Sequence, residues 1–462
     1  MSADRRSQVR SNAKYLRNVR PIDPEEICEY VEGAPHPAVV RQLLREEALD
    51  LGLLERADGT FVPVPDEPTA PAFHGVTAFP DEYARRLEDL LVERFGVDWA
   101  SGESGDRLRR TLRRIKEDYF KQNPVEYDEL AATGYALYHL PDYYAAVQYV
   151  LAELAEGEHL PKDLRVLDVG AGVGGPALGL HDFTPEDSLV EYHAVEPSDA
   201  ADVLEHLLEE AQTNFHPTIH RTTAEAFEPE GEYDLVLFAN VLSELEDPTS
   251  VVGRYLEHLA PDGSLVAIAP ADRNTSIGLR EVERAFDEAY TVYSPTLRLW
   301  PDESPADRGW TFDVKPDLEP PRFQSALDDG SGEFVNVTVQ YSHFILRRDG
   351  GRRREFTPNP KRVAKMAEMA DHVTDRIDLV AVKLSHSLND EGENLVFKVG
   401  DGSEREGHFA VLTRETMLNR PLVDVDYGDV LAFENVLVLW NDDEGAYNLV
   451  VDEETVVDHV RV

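Results

Sequence analysis

Apolar residues in the middle of the chain come in short runs that end in polar or glycine-rich stretches. The runs lie at 165–169, 190–196, 216–221, 233–239 and 263–269. Stretches with helical spacing separate them, and a last apolar run follows at 339–346. Strands that alternate with helices predict a doubly wound α/β domain with a Rossmann-like core over residues 159–346.

The chain before this domain predicts smaller helical parts. Helical patterns at 24–31 and 37–49 precede a hairpin at 53–62, with Asp58-Gly59 at its turn. This order predicts a winged-helix-like module over residues 21–75. A helical region is expected to follow at 76–158.

The last part of the chain consists of short strands separated by turns. They are expected at 379–384, 395–399, 408–412, 430–440 and 447–451. A short helix near 417–422 would lie between the third and fourth strands, so residues 376–462 predict an OB-like β-barrel. Its rings are expected to lie mostly in the barrel core rather than on a base-stacking surface; they are Phe397, Phe409, Phe433, Trp440 and Tyr447, with Lys383 and Lys398 nearby. Residues 347–375 predict a basic linker and a helix at 360–373.

Composition narrows the class of protein. The 462 residues contain one cysteine, Cys28, which excludes an internal disulfide, a zinc knuckle and a four-cysteine iron–sulfur site. No apolar run is long enough to cross a bilayer, so we expect a cytoplasmic protein that does not bind membranes. A monomer is a separate expectation. The net charge of −45 resembles that of halophilic proteins, whose acidic surfaces are screened by salt.

A glycine cluster, Gly170-Ala-Gly-Val-Gly-Gly175, follows directly after the first strand of the α/β domain. Glycines there permit a tight turn and let backbone N–H groups approach a ligand. The cluster also fits the dinucleotide-binding pattern, which alone is a weak signal. Asp168, two residues before the first glycine, favours S-adenosylmethionine (SAM), because dinucleotide folds usually have an apolar residue there.

Further cofactor contacts are expected where later strands end. Glu196 ends the second strand, and its carboxylate can accept both ribose hydroxyls. Asn240 ends the fourth strand and is expected to open a helix at 240–245. The predicted cofactor-binding residues are Asp168, Gly170, Gly172, Gly174, Glu196 and Asn240. Val-Leu-Ser follows Asn240 in place of the Pro-Pro-aromatic signature of base-amino methylation; no catalytic base is evident, and no metal is expected.

Basic islands stand out in so acidic a chain. They are a basic arm at 1–20 and segments at 107–116 and 347–354. They predict RNA contacts through the phosphates, at Arg107, Arg110, Arg114, Arg352 and Arg353. The alternatives are a solvated helix face and, for residues 1–20, a disordered terminus. Leu108, Leu112 and Ile115 recur at helical spacing and should face the core, with the arginines opposite.

Residues 105–350 resemble the small-ribosomal-subunit methyltransferase-like family, mitochondrial assembly factors and archaeal relatives within the class I SAM-dependent methyltransferases. The resemblance rests on Tyr135-Ala-Leu-Tyr-His-Leu-Pro-Asp-Tyr-Tyr144, the glycine cluster, Ala239-Asn-Val-Leu-Ser-Glu-Leu245 and Val339-Gln-Tyr-Ser-His-Phe-Ile-Leu346. It implies SAM in the usual pocket and a partner that is small-subunit rRNA or a pre-30S particle. Many members also carry cysteines for an iron–sulfur cluster, which are missing here. Packing of Trp300, Trp310 and Phe312 is expected in their place.

The sequence thus predicts a SAM-dependent methyltransferase that acts on small-subunit rRNA or on assembling small subunits. The alternative is a non-catalytic rRNA-binding assembly factor that retains the SAM pocket. A small-molecule methyltransferase with accessory domains is a third, weaker reading.

Overall fold

The computed structural model describes residues 3–121, 123–209, 211–389 and 393–461. The chain divides into two compact units. The first comprises Met1–Val76 and Pro80–Leu235, and the second Thr77–Phe79 and Val236–Val462. Among the described residues, no helix is both long and apolar enough to cross a membrane.

The N-terminal module consists of four helices and a hairpin. Its helices are α1 Ala3–Leu16, α2 Pro24–Glu29, α3 Pro37–Glu46 and α4 Ala48–Leu51. Strands β1 (Leu53–Glu55) and β2 (Phe61–Pro63) pair antiparallel, as the Asp58-Gly59 turn predicts. Apolar side chains of the helices and of the hairpin form one core, among them Val9, Ala13, Ile27, Val40, Leu44, Leu51 and, from β2, Phe61.

Residues 3–16 of the predicted basic arm form helix α1, so the structure contradicts the alternative of disorder for this segment, while residues 1–2 lie outside the described residues. Val9 and Ala13 lie in the core of the module, which fixes one face of α1. On another face, Arg6 and Arg10 donate to the carboxylate of Glu47, and Arg10 also pairs with Asp50 at 2.8 Å. These acids lie about 40 residues further along the chain, so local sequence does not reveal the pairing.

Three helices make up the region that follows: α5 Asp81–Phe95, α6 Gly102–Phe120 and α7 Glu129–Glu156. In α6, Leu108, Leu112 and Ile115 are buried, as their spacing predicts. Helix α8 (Gly175–Phe183) packs along α7 because two glycines remove side chains from the contact. A Cβ on Gly175 would lie 2.7 Å from Tyr143 Cβ, and one on Gly179 would overlap Val147 Cγ1.

The predicted doubly wound α/β core is confirmed, and its sheet is mixed. The strands are β3 Asp163–Val169, β4 Leu189–Val195, β5 Phe215–His220, β6 Tyr233–Ala239, β7 Leu259–Pro270, β8 Thr291–Ser294, β9 Asp313–Lys315 and β10 Val339–Arg347. Their order is β5-β4-β3-β6-β7-β10-β8, with β9 paired to β10. The pairs β3–β4 and β4–β5 are parallel, whereas β10 runs antiparallel to β7, β8 and β9.

Helices α9 (Ala200–Leu208), α10 (Pro248–Leu256), α11 (Arg273–Arg284) and α12 (Arg322–Leu327) complete this core. The helix expected at 240–245 is wrong. Only a single 3₁₀ turn, Leu242–Glu244, forms there, and α10 begins at Pro248. The reason is the stronger start signal downstream: Asp247 accepts a hydrogen bond from Ser250 N at 2.9 Å, and proline suits the first helical position.

The C-terminal strands close into a five-stranded barrel. They are β11 Arg376–Lys383, β12 Leu395–Gly400, β13 Gly407–Leu412, β14 Val430–Asn441 and β15 Ala446–Val451. The order is β11-β12-β13-β15-β14, and β14 pairs back to β11. Helix α13 (Pro421–Asp424) lies between β13 and β14 in the chain, and a sixth strand, β16 (Val456–His459), which was not predicted, pairs with β14.

The helix expected at 360–373 is also wrong, because only a 3₁₀ segment, Met366–His372, forms. Met366 and Met369 are buried in the barrel core. The N–H of Met366 donates to Asp401 Oδ2 at 2.9 Å, and that of Ala367 to Ser403 Oγ at 3.0 Å. Tertiary hydrogen bonds therefore take the backbone donors of its first residues.

Candidate functional site

The glycine loop 170–174 joins the end of β3 to the start of α8. Gly170, Gly172 and Gly174 have φ values of +74°, +53° and +95°, which L side chains rarely adopt. At Gly174 a Cβ would lie 2.6 Å from Leu204 Cδ1, so space also requires glycine there. A Cβ on Gly172 would meet only the Gly170 carbonyl oxygen, at 3.9 Å. The backbone at Gly172 therefore faces open space, where a ligand can approach.

Glu196 connects the end of β4 to this loop. Strands β3 and β4 are parallel with Val169 beside Val195, so the residues that follow them emerge together. Gly172 N donates to Glu196 Oε2 at 2.9 Å, and Ser198 N donates to Oε1 at 2.9 Å. The structure thus brings together two of the predicted cofactor-binding residues. Glu196 is only 7% exposed, and its Oε1 also accepts from Ser198 Oγ at 2.5 Å, so a lone pair remains for another donor on Oε2.

Asp168 is fully buried on β3. Tyr192 donates its hydroxyl to Oδ2, whereas Oδ1 is buried and has no hydrogen-bond partner within the described ranges. Burial raises the pKa of Asp168 to about 7; the nearby Glu196 charge adds to the rise, and the Tyr192 hydrogen bond opposes it. Asp168 therefore has one carboxyl oxygen without a hydrogen-bond partner among the described residues. It lies two residues before the glycine loop in the sequence and is not accessible to solvent.

Asn240 lies in the second compact unit. It has a φ of +60° directly after β6, and its N–H donates to the Ile268 carbonyl at 2.8 Å. The side chain is half-buried. A left-handed backbone at a strand end is uncommon for a non-glycine residue and is typical of functional turns.

The predicted RNA-binding arginines fall into two groups. Arg107, Arg110 and Arg114 are exposed on α6, opposite its buried face. Arg352 and Arg353 are half-buried and face the protein instead: Arg352 donates to the Arg298 carbonyl at 2.7 Å and Arg353 to Ser294 Oγ at 3.3 Å. The first group is available to a partner, and the second is engaged within its own unit.

The barrel aromatics lie mostly in the core, as expected. Phe397, Phe433 and Tyr447 are buried, while Phe409 is half-buried and Trp440 is 39% exposed. Both nearby lysines are buried as well. Lys398 pairs with Asp307, and Lys383 donates to the Val425 carbonyl at 2.8 Å; burial lowers the pKa of Lys383 to about 8.

Trp300, Trp310 and Phe312 do not form one cluster. The rings of Trp310 and Phe312 stack with centroids 5.3 Å apart. Trp300 packs with Leu299 and donates Nε1–H to Asp401 Oδ2 at 2.7 Å. In the described part of the chain, no three histidine, cysteine, aspartate or glutamate side chains are grouped as metal ligands are.

Sequence reasoning missed a polar pair on α7. His139 Nδ1 lies 3.4 Å from Asp142 Oδ2, and Tyr143, the next residue, packs against Gly175 at the start of α8. Burial raises the pKa of Asp142, and the contact with His139 opposes the rise. The residues belong to the Tyr135–Tyr144 motif singled out above, but the motif does not show that they approach the glycine loop.

Comparison with known proteins agrees with this architecture. Residues 135–315 match a family model described as a methyltransferase domain. Residues 6–57 and 367–460 match the N-terminal and C-terminal domains of DUF8157, a domain of unknown function. No curated protein sequence matches the chain.

Several solved structures of methyltransferases are similar. The plantazolicin methyltransferase BpumL in complex with SAH is 12% identical, with 58% of this chain and 99% of BpumL covered and a TM-score of 0.30. The N-methyltransferase NodS from Bradyrhizobium japonicum WM9 is 13% identical, with 44% of this chain and 94% of NodS covered and a TM-score of 0.28. The ribosomal protein L11 methylase from Lactobacillus delbrueckii subsp. bulgaricus is 20% identical, with 28% of this chain and 62% of the methylase covered and a TM-score of 0.22. At these TM-scores no conclusion about activity or substrate follows. The family model and the sheet topology together show that the middle of the chain has a methyltransferase-like fold.

Proposed function

We propose that this protein is a SAM-dependent methyltransferase that acts on small-subunit rRNA or on assembling small ribosomal subunits. The observation that carries the proposal is the hydrogen bond from Gly172 N to Glu196, at the carboxyl ends of two parallel strands. Ligands of open α/β sheets bind at that edge. The residues involved lie within the segment that matches the methyltransferase model.

The residues around the loop fit SAM. The open side of Gly172 leaves room for a ligand, and the unsatisfied Oδ1 of Asp168 is an acceptor for a donor at the site. Glu196 would accept a ribose hydroxyl through the remaining lone pair of Oε2, and a second one where the Ser198 hydroxyl turns away from Oε1. SAM supplies a methyl group already activated by the sulfonium. The protein's part is to align the acceptor and exclude water.

The proposed RNA partner is supported by helix α6. Arg107, Arg110 and Arg114 lie within about 60° of one another around the helix axis, since each residue advances about 100°. All three are exposed in a chain whose net charge is −45. A local positive face on so acidic a protein favours a polyanionic partner such as RNA.

We further propose that the C-terminal barrel is OB-like. The strand order β11-β12-β13-β15-β14 with closure to β11, the parallel pair β13–β15 and the helix between β13 and β14 support this assignment. OB-folds often bind single-stranded nucleic acid. Here most rings are inside, so a nucleic-acid surface would depend on Phe409 and Trp440.

A second candidate is the non-catalytic assembly factor. It is favoured by Glu196, both of whose oxygens already accept hydrogen bonds from the protein without a ligand. The carboxylate would then serve to hold the loop. In that case the loop is a structural element, and variants that lose SAM affinity would still support subunit assembly.

Calorimetric titration with S-adenosylhomocysteine tests the pocket. Wild type should bind, and Glu196→Ala should bind at least about tenfold more weakly, since the hydrogen bond that holds Gly172 N and one to the ligand are lost, at roughly 1 kcal/mol each. Glu205→Ala, an exposed carboxylate on α9, is the matched control and should bind like wild type. No binding by the folded wild type would contradict the proposal.

Transfer of labelled methyl from SAM separates the two candidates. Naked small-subunit rRNA, precursor particles and mature subunits are the acceptors, each with wild type and Glu196→Ala. Label in RNA with wild type only supports the enzyme. SAM binding without transfer to any RNA, together with normal growth of a Glu196→Ala strain, supports the assembly factor.

A further inference from the structure

Helices α7 and α8 run side by side in the same direction. Gly175 faces Leu140, Tyr143 and Tyr144, and Gly179 faces Tyr144 and Val147, so a step of four residues on α8 matches a step of about four on α7. A helix rises 1.5 Å per residue. Gly175 is level with residues 140–144, so His139 lies about 5 Å beyond the first residue of α8 along the helix axis, towards the end where the glycine loop enters it.

His139 lies on this part of α7, and its partner Asp142 directly precedes Tyr143, which faces Gly175. Their side chains are 19% and 13% exposed, so both are accessible but mostly enclosed. A carboxylate only accepts hydrogen bonds, so its contact with Nδ1 places the proton there and leaves the lone pair on Nε2. Among the described residues, no hydrogen bond to His139 Nε2 is found, and that nitrogen is free to accept a proton.

Aromatic rings surround His139. Its ring stacks on that of Tyr143, with ring centroids 5.0 Å apart and 16° between the planes. The ring of Tyr135 has its centroid 4.7 Å from that of His139 and is tilted by 43° against it. Tyr135 also donates its hydroxyl to that of Tyr143 at 3.0 Å. The imidazole is thus held in one orientation by stacking as well as by Asp142.

The basic helix α6 adjoins this cluster. Lys116 Nζ lies 3.6 Å from the ring centre of Tyr138, whose ring in turn lies 4.9 Å from His139. Arg107, Arg110 and Arg114 are exposed on the same helix as Lys116. The pair is therefore linked through Tyr138 and Lys116 to the helix that carries the exposed arginines.

We propose that His139 is the acceptor-side base of methyl transfer and that Asp142 is its positioning residue. The acceptor is an RNA nucleotide whose reacting N–H or O–H must lose its proton, and the surrounding rings offer faces on which a base can stack. This inference rests on the proposed function. The acceptor atom forms a bond to the methyl carbon as the carbon–sulfur bond breaks, the bonding pair stays on sulfur, and the acceptor's proton passes to Nε2.

The test compares His139→Gln with His206→Gln. His206 lies within 4.0 Å of Glu209, three residues on, so it is a matched histidine–carboxylate pair on α9. With the RNA substrate, His139→Gln should lower kcat by about 100-fold or more while the affinity for S-adenosylhomocysteine stays within about twofold of wild type. His206→Gln should leave both unchanged. Asp142→Asn should lower kcat with little change in KM, and nucleoside mass spectrometry of the product distinguishes a ribose from a base acceptor.

A second readout does not depend on turnover. In protein with ¹³C-labelled histidine, the signal missing from His139→Gln identifies His139, and it should shift when RNA substrate is added without SAM. The His206 signal should not shift. Full kcat in His139→Gln, or an unmoved His139 signal, overturns the inference while leaving the proposed function intact. A wild-type protein that binds S-adenosylhomocysteine but methylates no RNA overturns both.

Discussion

At the scale of single residues, Asp168 is a buried carboxyl group whose charged form is disfavoured by its surroundings. Its pKa is raised to about 7, chiefly by burial. An unfolded aspartate titrates near pH 4, so the folded state binds the proton more tightly than the unfolded chain. The free energy of unfolding therefore falls as pH rises from about 4 to about 7 and is level on either side of this window.

Asp168→Asn should remove this pH dependence, because the amide keeps an acceptor for Tyr192 and carries no charge. The stability of the variant relative to wild type should increase by about 2 kcal/mol between pH 5 and pH 8. Denaturant unfolding at both pH values measures it. Asp262→Asn, which removes one exposed negative charge, is the control. A difference that stays constant with pH contradicts the raised pKa.

Glu47 is a second buried carboxylate, and it holds α1 in place. Its side chain is 4% exposed and accepts from both Arg6 and Arg10. Glu47→Ala should leave Arg6 and Arg10 without their shared partner and loosen the attachment of α1. Faster tryptic cleavage within residues 5–17 would show that α1 has loosened. Glu46→Ala removes a 3.7 Å contact with Arg6 and a 3.4 Å hydrogen bond from Gln42, all between exposed groups, and should cleave like wild type.

At the scale of elements, the sequence pattern predicted correctly those features that depend on residues close together in the chain. The buried face of α6 and the hairpin turn at Asp58-Gly59 follow from spacing and turn chemistry alone. The helix expected at 360–373 failed because Asp401 and Ser403, more than 30 residues away, take the N–H groups of Met366 and Ala367. His139 and Asp142 were overlooked for a related reason, since only the packing of α7 on α8 brings them near the loop.

That packing gives a prediction for α8. Gly179→Ala would place a methyl group against Val147 and within 2.5 Å of the Tyr144 carbonyl oxygen, and such overpacking costs about 1–3 kcal/mol. Gly278→Ala in α11 is the matched change, because a Cβ there meets no atom within 4 Å. It should stabilise by about 0.5–1 kcal/mol, since alanine is the better helix former. The free energy of unfolding, measured with denaturant, should therefore fall for Gly179→Ala and rise for Gly278→Ala. Equal changes in the two variants contradict the close approach of α7 and α8.

At the scale of the whole molecule, charge dominates. The chain has 90 acidic and 45 basic residues, and several of its arginines, such as Arg280 and Arg347, are buried in internal ion pairs. The excess of acids therefore lies largely at the surface, where like charges repel one another. Self-repulsion of this kind opposes the compact state and weakens as salt shortens the screening length.

Stability should therefore rise with salt, and the rise should depend on pH. Between 0.1 M and 1 M KCl the Debye length falls from about 10 Å to about 3 Å, which screens most surface repulsion. At pH 7.5 we expect the midpoint of thermal unfolding to increase by about 5 °C or more across this range. Near pH 5, close to the isoelectric point of about 4.6, the net charge is small and the same salt step should have less effect. Calorimetry at the two pH values decides between causes: an equal increase at both would assign the effect to exclusion of salt from the protein surface rather than to screening of its charge.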